Sequence, residues 1–394
     1  MNYPLHDMKI LDFTYLLPGP YGSMMLADLG ADIIKVENPH NPDMLRMLPP
    51  IVDEISAVYA HINRGKKSLA LDLKAPQAKD IIYTLVKEYD IVIEQFRPGV
   101  LEKLGFGYED LKNINQGIIY CSLTGYGHTG SFASRAGHDI NYMALSGVES
   151  FSGKKSTGPS LHGIQIADIA SGAKNMVIGI LAAYIKRQKT GNGDYIDISI
   201  TDGVFAMSTF TTAAYLEGED MPMPQTQILN GGAIYDYYAT SDGRFISVGP
   251  IEPKFFQSFC NAIGYIDMAT TMDFSFETVQ KHKRNIAVII ASKPLSYWID
   301  VFSALDACVE PVRTLDEAIN NPPLYDRDMI VNVTTMNGKK LKQIANPIKF
   351  SSDTYIAQYA GVSLGYNNDE ILHAIGYNGS EIQQLYDNKT ITKK

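Results

Sequence analysis

Two successive units of strand, turn, helix and strand at the amino terminus restrict this chain more than any other feature. Lys9 to Phe13 reads as a short apolar strand, Leu17-Pro18-Gly19-Pro20-Tyr21-Gly22 as a turn, Ser23 to Leu29 as a helix stopped at Gly30, and Asp32 to Glu37 as the next strand. Strands that follow one another through a helix pair in parallel and are covered on both faces, so this unit opens a doubly wound parallel sheet. It recurs. Asn63-Arg64-Gly65-Lys66-Lys67 reads as a basic turn, residues 68–74 as a strand, Ala75 to Lys87 as a helix with Ile81, Ile82 and Leu85 on one face, and Ile91 to Glu94 as a strand ending at Gln95-Phe96-Arg97-Pro98-Gly99. Gly19, Gly22 and Glu37 echo a dinucleotide fingerprint, but Pro20 occupies the tight turn and the full G-x-G-x-x-G is absent, which argues against NAD.

A length of 394 residues exceeds one ordinary core. The polar stretch Gly218 to Pro224 reads as a linker, so we expect a large α/β domain over 1–217, a smaller α+β domain over 225–325 and a closing segment over 330–394. A net charge of −9 excludes a nucleic-acid partner, since no basic stripe compensates, and any site for a polyanion must be a local basic pocket. Cys121, Cys260 and Cys308 are scattered, which supports neither a disulfide framework nor a metal site. The amino terminus has no basic region followed by an apolar core, Thr392-Lys393-Lys394 is not a peroxisomal signal, and no apolar run spans a bilayer. Cytoplasm is the default expectation.

The chemistry concentrates in Arg135-Ala136-Gly137-His138-Asp139-Ile140-Asn141-Tyr142-Met143-Ala144-Leu145-Ser146-Gly147. His138 and Asp139 follow a glycine and open a run with helical spacing, so they sit at a helix start, where N–H groups are unpaired and the dipole is positive. Asp168 falls just before the long apolar helix that begins at Ile169. Taken singly, each has a plain structural alternative: a satisfied histidine, or an aspartate that only caps a helix.

The wording Gly-His-Asp-Ile-Asn-Tyr-x-Ala-Leu-Ser-Gly resembles the signature of the α-methylacyl-CoA racemases, a branch of the class III (formyl-CoA transferase-like) CoA-transferase family. The likeness runs from Ile10 to about Leu385. It includes Cys308-Val309-Glu310-Pro311-Val312 and the closing helices. It implies that Asp168 is the family's shared carboxylate, a nucleophile in transferases and an acid/base in racemases, and that His138 belongs to the racemase branch. Glu252, in Gly249-Pro250-Ile251-Glu252-Pro253, matches the residue that pairs with that histidine, and the Asp139 N–H matches a donor to the enolate oxygen. Arg64, Lys67, Leu73, Lys74, Gln95, Phe96, Arg97 and Tyr142 match segments that hold coenzyme A. Many relatives carry a basic residue where this chain has Asn38, which shifts the expected grip towards Lys35 or Arg46.

The resemblance therefore implies an acyl-CoA racemase of lipid metabolism that interconverts 2-methylacyl-CoA enantiomers through an enolate. It needs no metal and no cofactor beyond the CoA of its substrate. It also implies an interlocked homodimer, in which the closing segment rejoins the large domain. A transferase that moves CoA between carboxylates through Asp168 and a non-catalytic CoA-binding module are the alternatives.

Overall fold

The computed structural model describes residues 3–269, 275–351 and 359–393. Met1, Asn2 and Lys394, parts of the termini read above, lie outside the described residues. The chain divides into two compact units, one of residues 1–146, 162–207 and 324–394, the other of 147–161 and 208–323. The sequence put the first boundary at 217 and did not set 147–161 apart. Residues 147–161 are polar and rich in glycine, and residues 208–217 hold the helix Thr209–Leu216, which has no buried face, so neither stretch reveals in sequence which core it joins.

The first unit is built on six parallel strands: β1 (Lys9–Asp12), β2 (Asp32–Glu37), β3 (Lys66–Ala70), β4 (Ile91–Glu94), β5 (Ile119–Thr124) and β6 (Asp194–Ser199). Their order is β3-β2-β1-β4-β5-β6, so the winding reverses between β1 and β4. In open sheets of this kind a crevice opens at that reversal, beyond the carboxyl ends of the strands. Ile10, Leu11, Ile33, Leu69, Ile91, Val92, Ile93 and Ile119 are fully buried, as strands covered on both faces must be. Helix α1 (Pro18–Ala27) begins inside the stretch read as a turn, because proline is pre-set for the first helical position. Gly19 permits this: a Cβ there would lie 2.3 Å from the Thr14 side chain and 2.5 Å from Gln95 Oε1. Helix α2 (Ala78–Leu85) buries Ile81, Ile82 and Leu85, the face expected from the sequence. The closing segment packs Ile371, Leu372, Ile382 and Leu385 into the same core. It also protects edge strand β3, as Asn367 and Asn368 side chains accept from the N–H groups of Ser68 and Ala70.

Beneath the crevice lies a set of buried ions that corrects the reading of the basic turn. Strand β3 starts at Lys66, two residues before the expected strand, and the Lys66 ammonium faces Asp12 Oδ2 at 3.2 Å. Asp12 also accepts from the Thr14 N–H at 2.9 Å and the Ser23 hydroxyl at 2.5 Å. Burial alone would raise the Asp12 carboxyl, but Lys66, Lys35 and these donors outweigh it and hold it at about 2. Burial pushes Lys66 down to about 8. Arg64 is 1% exposed and clamps Asp28, with a further bond to the Ile344 carbonyl at 2.8 Å. Lys35 meets Asp43 at 3.3 Å, and Arg46 meets Glu37 at 2.5 Å. Cations that looked free for a polyanion, Lys35 and Arg46 among them, are thus engaged by buried carboxylates.

In the second unit β7 (Asp236–Ala239), β8 (Phe245–Val248) and β9 (Val309–Pro311) form an antiparallel sheet in the order β9-β8-β7. Against it lie α3 (Pro253–Ala262), α4 (Phe276–Ile290) and α5 (Leu295–Phe302), with Phe259, Trp298 and Phe302 in one core. The turn Asn230-Gly231-Gly232 is pinned: Lys283 donates to the Gly231 carbonyl at 2.7 Å and pairs with Asp236 at 2.7 Å. Among the described residues no helix is long and apolar enough to cross a membrane.

Asp12→Asn should lower stability by about 3 kcal/mol at pH 7 in urea denaturation, since Lys66 then stays buried without its carboxylate. The folded carboxyl is depressed, so its contribution is present above the unfolded range of about 4 and is lost as pH falls through about 2. The gap between wild type and variant should close over that window, and a gap that persists undiminished at pH 2 contradicts the assignment.

Candidate active site

A cavity of about 410 Å³ occupies the crevice of the first unit. Three loops at the carboxyl ends of strands build it: Tyr15 to Pro18 after β1, Gln95 to Pro98 after β4, and Gly125 after β5. Gln95 ties the first two together, since its Oε1 accepts from the Gly19 N–H at 3.2 Å and its Nε2 donates to the Tyr15 carbonyl at 2.7 Å. The remaining wall comes from Arg135 to His138, Asn141, Tyr142, Asp168 and Ile200.

His138 is the N-cap of the helix Asp139–Leu145, and Asn141 closes that end by accepting the His138 N–H at 3.0 Å. Tyr142 is nearly buried and wedged against Gly125 and Gly137, where a Cβ would lie 2.3 and 2.6 Å from its ring. Its hydroxyl donates to the Gly137 carbonyl at 2.6 Å, so this residue fixes the approach to His138. Asp168 does not precede the long helix as expected. It sits in a π-helical turn, Ala167–Ala173, that runs into the α-helix Lys174–Thr190. As the second residue of that turn Asp168 has an N–H without an intrahelical acceptor, and Asp139 Oδ1 accepts it at 2.9 Å. The two titratable segments are thereby joined through one hydrogen bond.

Burial pushes the Asp168 carboxyl up to about 7, and the charge of Asp139 adds to the rise. Desolvation and a like charge both disfavour the ionised form, so both act in one direction here. An acid in this condition exchanges its proton readily near neutral pH.

The cavity brings together His138, Asp168, Gln95, Phe96, Arg97 and Tyr142 of the residues singled out in the sequence. Asp139 stands behind Asp168 rather than in the lining. Arg64 is engaged by Asp28, and Lys67 by Asp32 and Glu370. Leu73 packs on the core, and Lys74 is exposed outside the lining. Glu252 belongs to the second unit, as the N-cap of α3. Tyr15 and Arg135 were not singled out as site residues. The signal for Tyr15 was available, because the loop after β1 must flank the reversal point. Arg135, stacked 3.8 Å over the Phe132 ring, carried no such signal. Among the described residues neither Arg97 nor Arg135 pairs with a carboxylate, and no group of three or more His, Cys, Asp or Glu side chains could hold a metal ion.

Comparison with known proteins gives a consistent result. The family model described as CoA-transferase family III matches residues 5–361. Alpha-methylacyl-CoA racemase of Homo sapiens is 32% identical over 389 residues, covering 98% of this chain and 97% of that protein. Succinate–glutarate CoA-transferase of Agrobacterium fabrum is 30% identical, covering 94% and 95%. The crystal structure of a CAIB/BAIF family protein from Brucella suis superposes with a TM-score of 0.82 at 27% identity, covering 95% of this chain and 100% of that one.

Asp168→Asn should raise the melting temperature at pH 8 and leave it nearly unchanged at pH 4. A carboxyl raised above its unfolded value binds its proton more tightly in the folded state, so stability falls as pH climbs from about 4 towards 7 and then levels off. After allowance for partial solvent screening, the expected gain is about 2 kcal/mol. Equal melting temperatures across that range would mean that Asp168 ionises as an ordinary surface carboxylate.

Proposed function

This chain belongs to CoA-transferase family III, and on that premise we propose that it is an α-methylacyl-CoA racemase, working on its substrate by two-base proton transfer. The observation that carries the reading is that Asp168, raised to about 7, shares one cavity with His138. A nucleophilic carboxylate gains from full ionisation, whereas a proton-exchanging acid gains from a pKa near the working pH. The relation to the human racemase points the same way.

In this reading the pair enters the reaction with one proton between its two members. Neutral His138 removes the α-proton of one enantiomer, the C–H electrons move into the thioester to form an enolate, and protonated Asp168 delivers a proton to the opposite face. The other enantiomer uses the reverse assignment. Asp139 supplies the backbone N–H for the enolate oxygen: as the first residue of its helix it has no intrahelical acceptor. Such a donor is worth about 3–4 kcal/mol of barrier. Phe96 and Tyr142 border the thioester, and Gln95 ties the loop that carries Phe96 to the loop after β1. Arg97 and Arg135 take the phosphates of CoA, with Lys74 further out. No cofactor is needed beyond the CoA of the substrate. The working form is a cytoplasmic homodimer.

The transferase relative supports a second reading, in which Asp168 attacks an acyl-CoA and then carries CoA as a thioester. Incubation with a 2-methylacyl-CoA in deuterated water separates the two. The racemase should introduce deuterium at the α position from either enantiomer without an added carboxylate. His138→Ala and Asp168→Ala should each slow exchange by about 10²–10⁴-fold, with opposite enantiomer preference. Absence of exchange, together with hydroxylamine trapping of an activated Asp168, would replace this reading with the transferase.

The pH profile provides a further check. Only the singly protonated pair is active, so kcat/KM should be bell-shaped and equal in shape in both directions, because the equilibrium between enantiomers does not depend on pH. Residual activity of His138→Ala should titrate once, near 7. A profile flat between pH 6 and 8 would remove Asp168 from the proton transfer.

Removing the charges of Arg97 and Arg135 together should weaken CoA binding by about tenfold or more and flatten its dependence on salt, as measured by calorimetry. Unchanged affinity would put the phosphates elsewhere.

A further inference from the structure

Across three neighbouring strands the first unit carries a polar row that the proton-transfer chemistry does not use. Glu94 of β4 stands opposite Ser122 of β5, and Ser122 opposite Asp197 of β6, towards the carboxyl ends of the strands. Asp197, on the edge strand, is exposed, whereas Glu94 and Ser122 are 3% and 0% exposed. Strands covered on both faces are otherwise apolar, so a carboxylate here needs donors to offset the water it has lost. The loop after β5 folds back to supply one. The His128 N–H donates to both Asp197 oxygens, at 3.2 and 3.0 Å, and its ring reaches Ser122 and Glu94.

The donors follow from counting protons. A carboxylate only accepts and a serine hydroxyl has one proton, so Ser122 donates to Glu94 Oε1. The bond between Ser122 Oγ and His128 Nε2 must then take its proton from the ring, which makes Nε2 the protonated nitrogen. That nitrogen also lies 3.5 Å from Glu94 Oε1. Burial opposes a charged ring, but the bond and charge of Glu94, with the charges of Asp197 and of Glu102 on the helix Val100–Leu104, outweigh it and raise His128 above its usual value. The edge of the ring packs on Tyr195, with centroids 5.9 Å apart. This trio is not built as a nucleophilic triad. Serine and carboxylate meet the same ring nitrogen rather than opposite ones, and the serine has already given its proton to the carboxylate.

The other oxygen of Glu94 connects the row to the cavity. Glu94 Oε2 accepts from the Phe96 N–H at 2.7 Å, and Phe96 and Arg97 both line the cavity from the loop Gln95 to Pro98. Gln95 ties this loop to the one after β1, and Glu94 ties it through Ser122 and His128 to β5 and the loop beyond. We infer that His128 is a positioning residue for CoA, fixing through Ser122 and Glu94 the backbone that carries Arg97. The two parallel bonds of an arginine fork form only when the fork is aimed at its phosphate, and that aim starts from the backbone. The identity of the ligand rests on the acyl-CoA reading above, while the anchoring of the loop stands on the hydrogen bonds alone.

Two measurements on the full-length protein test this: amide hydrogen exchange at Phe96 without ligand, and calorimetry with free CoA. His128→Ala should speed exchange at Phe96 and weaken CoA binding, each by about tenfold. His128→Gln sets an amide donor where Nε2 stood and should restore both. His128→Asn, whose amide falls at the place of Nδ1, should restore neither. Melting temperatures of the two amide variants within a few degrees of each other show that donor position, and not general destabilisation, separates them. In an Arg97→Gln background His128→Ala should cost little further CoA affinity, because two changes that act through one side chain do not add. Unchanged exchange at Phe96 in His128→Ala, or losses of CoA affinity that add in full with Arg97→Gln, would overturn the inference. Failure of the acyl-CoA reading would appear instead as a wild type that does not bind CoA, with the exchange pattern of the variants intact.

Discussion

The hydrogen bond from the Asp168 N–H to the Asp139 carboxylate is the constraint on which the site depends. It fastens the π-helical turn that carries Asp168 to the helix start that carries His138. The same carboxylate places a negative charge beside Asp168 and so opposes its ionisation. One residue thus holds its neighbour in place and adds to a rise in proton affinity that burial chiefly causes. A neutral replacement would be expected to alter both, so the effect of Asp139 on the pH profile cannot be separated from its effect on geometry by a single substitution.

The crevice itself rests on the ions beneath it. Asp12, at the end of β1, accepts from the loop that follows it and from α1, and faces an ammonium brought in by β3. The loop after β1 and helix α1, beside the winding reversal, and the edge strand β3 are therefore held to one carboxylate. Removing either partner of such a pair leaves a buried charge uncompensated, which costs more than the pair itself contributes. This explains why the cations of the Arg64 to Lys67 segment divide as they do. Arg64 and Lys66 are interior struts, and Lys67 bridges surface carboxylates. What remains for a polyanion in the cavity is Arg97 and Arg135, both on loops. An acidic chain can bind an anion through such a pair because the field in a cavity is decided by the nearest unpaired groups rather than by the total charge.

The second unit follows a different logic. Its core is sealed by stacked aromatics, and the Trp298 N–H is satisfied by the Ile290 carbonyl at 2.9 Å. Its glycine-containing turn is tied down through Lys283. A lid that must open needs weak backbone contacts, and this turn has strong ones, so it is built as a fixed wall.

The sequence by itself determined the parallel sheet, because its apolar strands and intervening helices admit no other pairing, and it determined the start of the His138 helix, because glycine, polar cap and apolar period coincide there. It also singled out Asp168, through the resemblance to a family rather than through spacing. Tertiary structure decided the rest. Burial of Arg64 and Lys66 was illegible because a charged residue enters a core only when a distant carboxylate meets it, and Asp28 and Asp12 lie 36 and 54 residues away. The partner of the Asp168 N–H was illegible for the same reason: its acceptor lies 29 residues back in the chain. Local pattern fixes which elements form, whereas the proton affinity of a side chain depends on the solvent it has lost and the charges it meets, and only the folded chain brings those together.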